Sequence, residues 1–567
     1  MTESPASPMP HSPHMRITCH CGAAAQTISL PTSTNADAPL EISICHCYTC
    51  RHVSGVLCTT YLEIAGPPAS LSGLVGYSDR NLLPSEQGPE DSTASLASSN
   101  GETWRWFCRT CGSHVFARQN DSPGRGGVSW AVATGCLVGD EDGAVMQDNH
   151  NEQDQQGQDH TSDKKGMVLQ HINIHDAKDG GLAPVLGATR SIEDGGGTDS
   201  SHDEQRPKPQ RQHWATASSP SSLNQDGPRP QVSCTPVHGS KDAQFIFADS
   251  GNTIRSRDVL DLHCLCRRVS LVVTRPDESS TLPWSPHSDC VYPYHATPRD
   301  FLQNRTDEKW WIRPSLAEEE ETATRTSKGC SLDTTTTDRR NKRYLAGTCT
   351  CRSCRLGCGF EIQTWAFVPR SNIFVVARQS GCGNHDRRVL FPLDFSSPPD
   401  GEDTQHGHGG QEKNGNSNEN AQPAVNPTTA ILKTYNSQEG VFREFCPTCG
   451  ATVFWHNEER PGVIDVSAGL AGLCLPSEEF SVGDKDDSST ARGAADRQTL
   501  RPAGHSGSAS AAARAVGWLD WWTERVSFFE HAAAGRTGTG AALGTKIAAE
   551  LQEGLRAWGR ERRGELR

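Results

Sequence analysis

The chain has 567 residues, room for two or three domains each large enough to bury a core. Its hydrophobic fraction of 34% and mean hydropathy of −0.60 are low for a wholly folded chain, so much of the length is expected to be polar insertion or linker. The formal net charge of −14 argues against a general nucleic-acid coat, which needs clustered positive charge.

The N-terminus, MTESPASPMPHSPHMR, is Pro/Ser-rich and has no apolar run, so no secretory signal is expected. No later stretch approaches the roughly 20 apolar residues of a membrane span. The expectation is a cytoplasmic or nuclear protein, neither secreted nor membrane-inserted. In a reducing compartment the 22 cysteines suit metal ligation better than disulfides.

Taken along the chain, the cysteines form one series of motifs written twice. The first copy reads Cys19-His-Cys21, then Cys45-His-Cys47-Tyr-Thr-Cys50, then Cys108-Arg-Thr-Cys111-Gly112. The second reads Cys264-Leu-Cys266, Cys349-Thr-Cys351-Arg-Ser-Cys354 and Cys446-Pro-Thr-Cys449-Gly450. Arg51, Gly55, Thr60 and Tyr61 line up with Arg355, Gly359, Thr364 and Trp365, while Arg105, Phe107 and Phe116 match Arg443, Phe445 and Phe454. This is an internal duplication.

Short β-branched and aromatic runs such as LCTTYLEI, FEIQTWAFVP, NIFVVA and GVIDVSAGL read as strands. Segments near 83–101, 141–165, 190–256, 276–340, 398–428 and 480–512 are polar and without apolar period, and read as flexible insertions or linker. Gly166 to Leu186 regains strand character and is assigned back to the first copy. Helix is expected only late, around Trp518 to Ala534 and Gly544 to Trp558. The reading is a mainly β protein with two tandem zinc-stabilised antiparallel β domains, at 14–188 (insertion about 141–165) and 257–530. A linker covers 189–256 and a short helical extension 531–567.

A Cys-x-x-Cys-Gly turn supplies half of a tetrahedral zinc site, and the isolated Cys-x-Cys can supply the rest. Cys19, Cys21, Cys108 and Cys111 are therefore assigned to one closed structural site, and Cys264, Cys266, Cys446 and Cys449 to its counterpart. Cys45, Cys47 and Cys50, like Cys349, Cys351 and Cys354, make three-thiolate sets with a coordination position to spare. That gives two zinc ions per domain, up to four per chain. A purely structural zinc completed by some other residue is the rival reading of the three-sulfur sets. His20, His46 and His52 are read as neighbours of ligands, and Cys58, Cys136, Cys234, Cys290, Cys330, Cys382 and Cys474 as ordinary cysteines.

Cys-x-Cys, Cys-x-Cys-x-x-Cys-Arg and Phe-Cys-x-x-Cys-Gly in this order resemble the glutathione-dependent formaldehyde-activating enzymes, a family that also includes centromere protein V. The tandem form, with Trp518, Trp521 and Trp522 near its end, looks like a fungal-type member. The resemblance implies a β-tent-like fold and an open catalytic zinc on Cys45, Cys47 and Cys50, and on Cys349, Cys351 and Cys354. It implies carbon–sulfur lyase chemistry, with glutathione as co-substrate adding to formaldehyde or a similar small aldehyde. Arg51 and Arg355 are read either as attracting the glutathione carboxylates or as surface arginines paired with a local acid. The alternative is a catalytically silent zinc scaffold for protein or nucleic acid, nucleic acid being disfavoured by the acidic balance. Two departures stand out. Arg267 replaces Gly22, so that turn is expected to differ, and Cys358 replaces Ser54 where it could close the second open site. On that ground the first copy is expected to keep the more accessible zinc, and no general base is evident.

Overall fold

The structure is a computed structural model that describes residues 13–32, 38–78, 102–120, 127–140, 166–187, 244–314, 342–379, 387–396, 426–472 and 512–564. The expected insertions at 83–101 and 141–165, most of the other polar segments, and Cys234, Cys330, Cys382 and Cys474 lie outside the described residues.

Each copy is built on one large sheet. In the first, the spatial order is Met167–Ile172, Leu40–Cys45, Thr59–Ile64, Val128–Ala133, His114–Asn120, Thr103–Cys108 and Leu74–Ser78. The second repeats it as Arg343–Cys349, Gln363–Pro369, Val463–Ser467, Thr452–Asn457, Val441–Phe445 and Lys433–Gln438. Pairing is antiparallel except at one edge. There Met167–Ile172 runs parallel to Leu40–Cys45, and Leu519–Trp521 runs parallel to Arg343–Cys349. Central strands such as Gln363–Pro369 are buried along their whole length, which explains why they read as continuous apolar runs rather than alternating ones.

A second, smaller sheet in each copy carries the first cysteine pair. Gln26–Ser29, His14–Ile17 and Leu137–Asp140 form it in the first copy. Its counterpart has six strands, of which Gln244–Phe247 and Thr253–Arg255 fall inside the stretch read as linker. Gln244–Phe247 pairs with Arg387–Pro392 on one side and with Thr253–Arg255 on the other, which gives that polar stretch its structure.

One hydrophobic core runs through both copies, from Met15 to Leu555. The copies meet reciprocally. Gly112 lies over the Phe445 ring and Gly450 over the Phe107 ring, and a Cβ on Gly112 would come within 2.6 Å of Phe445. Both glycines also have left-handed φ, +76° and +77°, so space and backbone alike require glycine.

Three expectations are corrected. Residues 276–314 are ordered, because Trp310 and Trp311 bury themselves against Leu345 and Phe367 of the second copy. Trp518 to Ala534 is not a helix: Leu519–Trp521 takes the free edge of Arg343–Cys349, and only a short 3-10 turn follows at Phe529–His531. The final helix is longer than expected, spanning Gly538–Arg562, and buries Leu543, Ile547, Leu551 and Leu555. It packs on Ala183–Leu186 and Leu137–Asp140, so the chain ends on the first copy. Among the described residues no helix is long and apolar enough to cross a membrane.

Candidate metal centres and cavity

Two sheets converge at each four-cysteine set. Cys19 and Cys21 sit in the turn after His14–Ile17, and Cys108 and Cys111 in the turn between Thr103–Cys108 and His114–Asn120. Sulfur–sulfur distances are 3.6 Å for Cys19–Cys21 and 3.5 Å for Cys21–Cys108. In the second copy Cys264–Cys266, Cys264–Cys446 and Cys266–Cys446 are 3.4, 3.8 and 3.5 Å apart. A tetrahedron with Zn–S about 2.3 Å has edges of about 3.8 Å, so both sets fit zinc. The described cysteines are all free thiols. The backbone N–H of Ala24 donates to Cys19 Sγ at 3.4 Å, and that of Val269 to Cys264 Sγ at 3.3 Å. Arg267 does not alter the turn. It takes φ +61° where Gly22 has +84°, and both N–H groups donate to the carbonyl three residues back at 3.1 Å.

The three-cysteine sets form where a strand ends and a helix begins. Cys45 closes Leu40–Cys45, and Cys47 caps the helix Tyr48–Ser54, its Sγ accepting from the Cys50 N–H at 3.2 Å. That cap brings the first helical turn, with Cys50, back toward Cys45. Cys351 accepts from the Cys354 N–H at 3.3 Å in the same way, at the head of Arg352–Cys358. A buried guanidinium touches each set: Arg105 donates to Cys50 Sγ at 3.7 Å and Arg443 to Cys354 Sγ at 3.8 Å. Among the described residues no fourth Cys, His, Asp or Glu joins either trio.

The trios differ in access. Cys45 and Cys47 are fully buried and Cys50 is 2% exposed, packed with Ile172, while the Asn173 amide donates to Cys45 Sγ at 3.4 Å. Cys349, Cys351 and Cys354 instead face a cavity of about 280 Å³ whose wall includes Trp365, Trp455, Arg460 and Asp465. The expectation of a more open first copy is therefore reversed. Asn173 and Phe528 follow equivalent edge strands with the same left-handed backbone, φ 55° and 52°. Phe528 forms part of the cavity wall where Asn173 bonds Cys45.

The first copy matches a known family model along residues 14–147, that of the glutathione-dependent formaldehyde-activating enzyme. Residues 14–147 are therefore similar to that family. The match takes in both cysteine sets of the first copy and stops short of Met167–Ile172, which completes the sheet. No curated protein and no solved structure matches the chain.

The remaining expected residues take other places. Cys358 does not close the second trio. Four residues beyond Cys354, it sits at the far end of the same helix, its thiol directed at the carbonyls of Arg355 and Phe360. Ser54 lies in the same place and donates to Cys50 O at 2.6 Å. Arg355 donates to the carbonyls of Gly135 and Ala534, which joins the copies and leaves it unfit for a glutathione carboxylate. Arg51 is fully buried beside Tyr48, its guanidinium 5.9 Å from the ring, and burial lowers its pKa. Neither arginine lines the cavity. His20 contacts Tyr435 Oη and Ser353 Oγ of the second copy, each at 3.0 Å, and burial lowers its pKa to about 4. His46 pairs with His171 at 3.0 Å, and His52 with the His263 carbonyl at 2.7 Å.

Sequence reasoning missed Asp465. It lies in the cavity wall, hydrogen-bonded to Arg460 at 2.6 Å, and burial raises its pKa to about 6. Its counterpart is Ala131, so the duplication gave no signal for it.

Proposed function

We propose that the chain is a zinc-dependent carbon–sulfur bond enzyme that adds a thiol, glutathione or a similar one, to a small aldehyde, and that its working site is the second-copy trio. The observation that supports this is a set of three cysteine sulfurs, held by a helix cap and an arginine, facing a cavity without a fourth protein ligand among the described residues. We read the second copy as a diverged second domain of the same family, with two zinc ions per copy. The four-cysteine sets would hold one ion each and the trios the others.

Cys349, Cys351 and Cys354 would hold the zinc, which when bound would lower the pKa of an incoming thiol toward neutral. The protein's own groups do the rest. Arg443 offsets charge on Cys354. Trp365 and Phe367 exclude water from one side of the cavity. The Asp465 carboxylate, half-ionised at about pH 6, accepts the thiol proton and returns it to the oxygen of the adduct. The balance is simple: the sulfur–carbon bond forms, the carbonyl π bond breaks, and the thiol proton ends on oxygen. A scaffold role is supported for the first copy, whose trio is sealed.

The test is exchange NMR on glutathione and formaldehyde with zinc-loaded protein. Cys351→Ser is expected to abolish acceleration over the spontaneous rate, and Cys47→Ser to leave most of it. No acceleration with any thiol and aldehyde by the wild type overturns the reading.

A further inference from the structure

Resting on that reading, we infer that the second-copy cavity selects a reactant bearing an uncharged aromatic or bulky apolar group, carried by the thiol or by the aldehyde. The duplication provides an internal comparison. Trp365, Phe367, Trp455 and Phe528 line the cavity beside the three cysteines. The strand registers put Tyr61, Glu63 and Ala117 at the first three of these positions in the first copy, and Asn173 matches Phe528. Three of the four rings thus belong to the second copy alone.

Their positions are fixed by neighbours. Trp310 meets Phe367 edge-on at 4.9 Å, and Tyr294 meets Phe528 at 5.6 Å, both supplied by the segment 276–314. The Arg460 guanidinium lies 4.8 Å from the Trp455 ring. Such walls stabilise a flat apolar group through burial and ring contacts. A one-carbon aldehyde has no surface to use them.

Charge points the same way. Arg460 is paired with Asp465 at 2.6 Å, and Arg443 is bonded to Ser353 at 2.8 Å and to Cys354. Behind the wall, Arg525 is paired with Asp289 at 3.2 Å. Within the wall Arg460 is thus committed to Asp465 and Arg443 lies against the thiol set, while Glu459 adds a negative charge. Bringing an unpaired carboxylate into such a place is costly.

The experiment uses the full-length zinc-loaded protein in two assays. Calorimetry with benzyl alcohol, a ring without thiol or aldehyde, reads the cavity independently of turnover. Exchange NMR then compares benzyl mercaptan with formaldehyde, 2-mercaptoethanol with benzaldehyde, and glutathione with formaldehyde. At least one aryl pair is expected to exchange on the order of tenfold faster than the glutathione pair, and which one wins identifies the reactant that carries the ring. Trp455→Ala should weaken benzyl alcohol binding on the order of tenfold, with Trp455→Phe restoring most of it and zinc content unchanged. Equal or faster exchange of the glutathione pair, or binding indifferent to Trp455→Ala, overturns the inference. Trp455-dependent binding with no exchange of any pair overturns the carbon–sulfur reading and leaves the cavity's preference standing. Exchange of glutathione and formaldehyde without benzyl alcohol binding does the reverse.

Discussion

Arg105 and Arg443 reach the third cysteine of each trio from the strand behind it, at 3.7 and 3.8 Å, and both are buried. Three thiolates around a divalent ion carry a net negative charge that a buried site must offset, so these arginines would set how tightly each trio holds a metal. Arg443→Met is expected to lower the zinc affinity of the second trio by about 10- to 100-fold in a competitive chelator titration. An unchanged affinity would assign Arg443 to packing alone. His114 makes a second prediction. It is buried, its Nε2 lies 3.0 Å from the Val53 carbonyl, and burial, helped by Arg105, lowers its pKa to about 4. The unfolded chain takes that proton near pH 6.5 and the folded protein resists it. The contribution is therefore intact above about 6.5 and lost as the pH falls toward 4. Between pH 7 and 5 this amounts to about 2 kcal/mol. Denaturant titrations of wild type and His114→Gln should show that difference in slope, since acid loss of zinc is common to both.

Each cysteine turn lies against the other copy, and this governs what a substitution there does. Gly112→Ala adds a Cβ into the Phe445 ring and strains a left-handed backbone, at an expected cost of about 2–4 kcal/mol. Adding Phe445→Leu should recover part of the lost melting temperature, because the two sites share one contact. The cysteine sets were legible because the spacing is local and the same motif series occurs twice in the sequence. The segment 276–314 was not, because what orders it is distant. Asp289 accepts from the backbone N–H groups of Tyr294 and Phe528, the Ser527 hydroxyl and Arg525, three of them well over 200 positions away. Composition around Asp289 reads as loop for that reason. Trp518 to Ala534 misled in the opposite sense. Its apolar spacing suits a helix, yet an unpaired sheet edge takes Leu519–Trp521 as a strand. Asp465 had no repeat to point to it, and its environment comes from the cavity rather than from neighbours in sequence.

At the scale of the molecule, the shared core makes the halves interdependent. Leu551 is fully buried in the final helix, which packs on Ala183–Leu186. Leu551→Ala is expected to cost about 2–5 kcal/mol, although it lies in what the sequence presents as a tail. Chemical denaturation of the full chain measures it, and a loss below about 1 kcal/mol would mean the helix is loosely docked. The helix also closes the connection between copies: Arg536, just ahead of it, pairs with Glu361 at 3.0 Å and donates to the Thr134 carbonyl at 3.2 Å.

That return of the C-terminus to the first copy has a consequence in time. A ribosome finishes Leu186 some 350 residues before it reaches Gly538. At about 5–20 residues per second, the apolar groove that receives the helix stands uncovered for tens of seconds on the nascent chain. The half synthesised first is completed last. A premature stop codon between Gly538 and Leu543 would release a chain with all fourteen clustered cysteines in place and that groove still open. Such a product should be held by chaperones or degraded rather than accumulate as a slightly shorter protein.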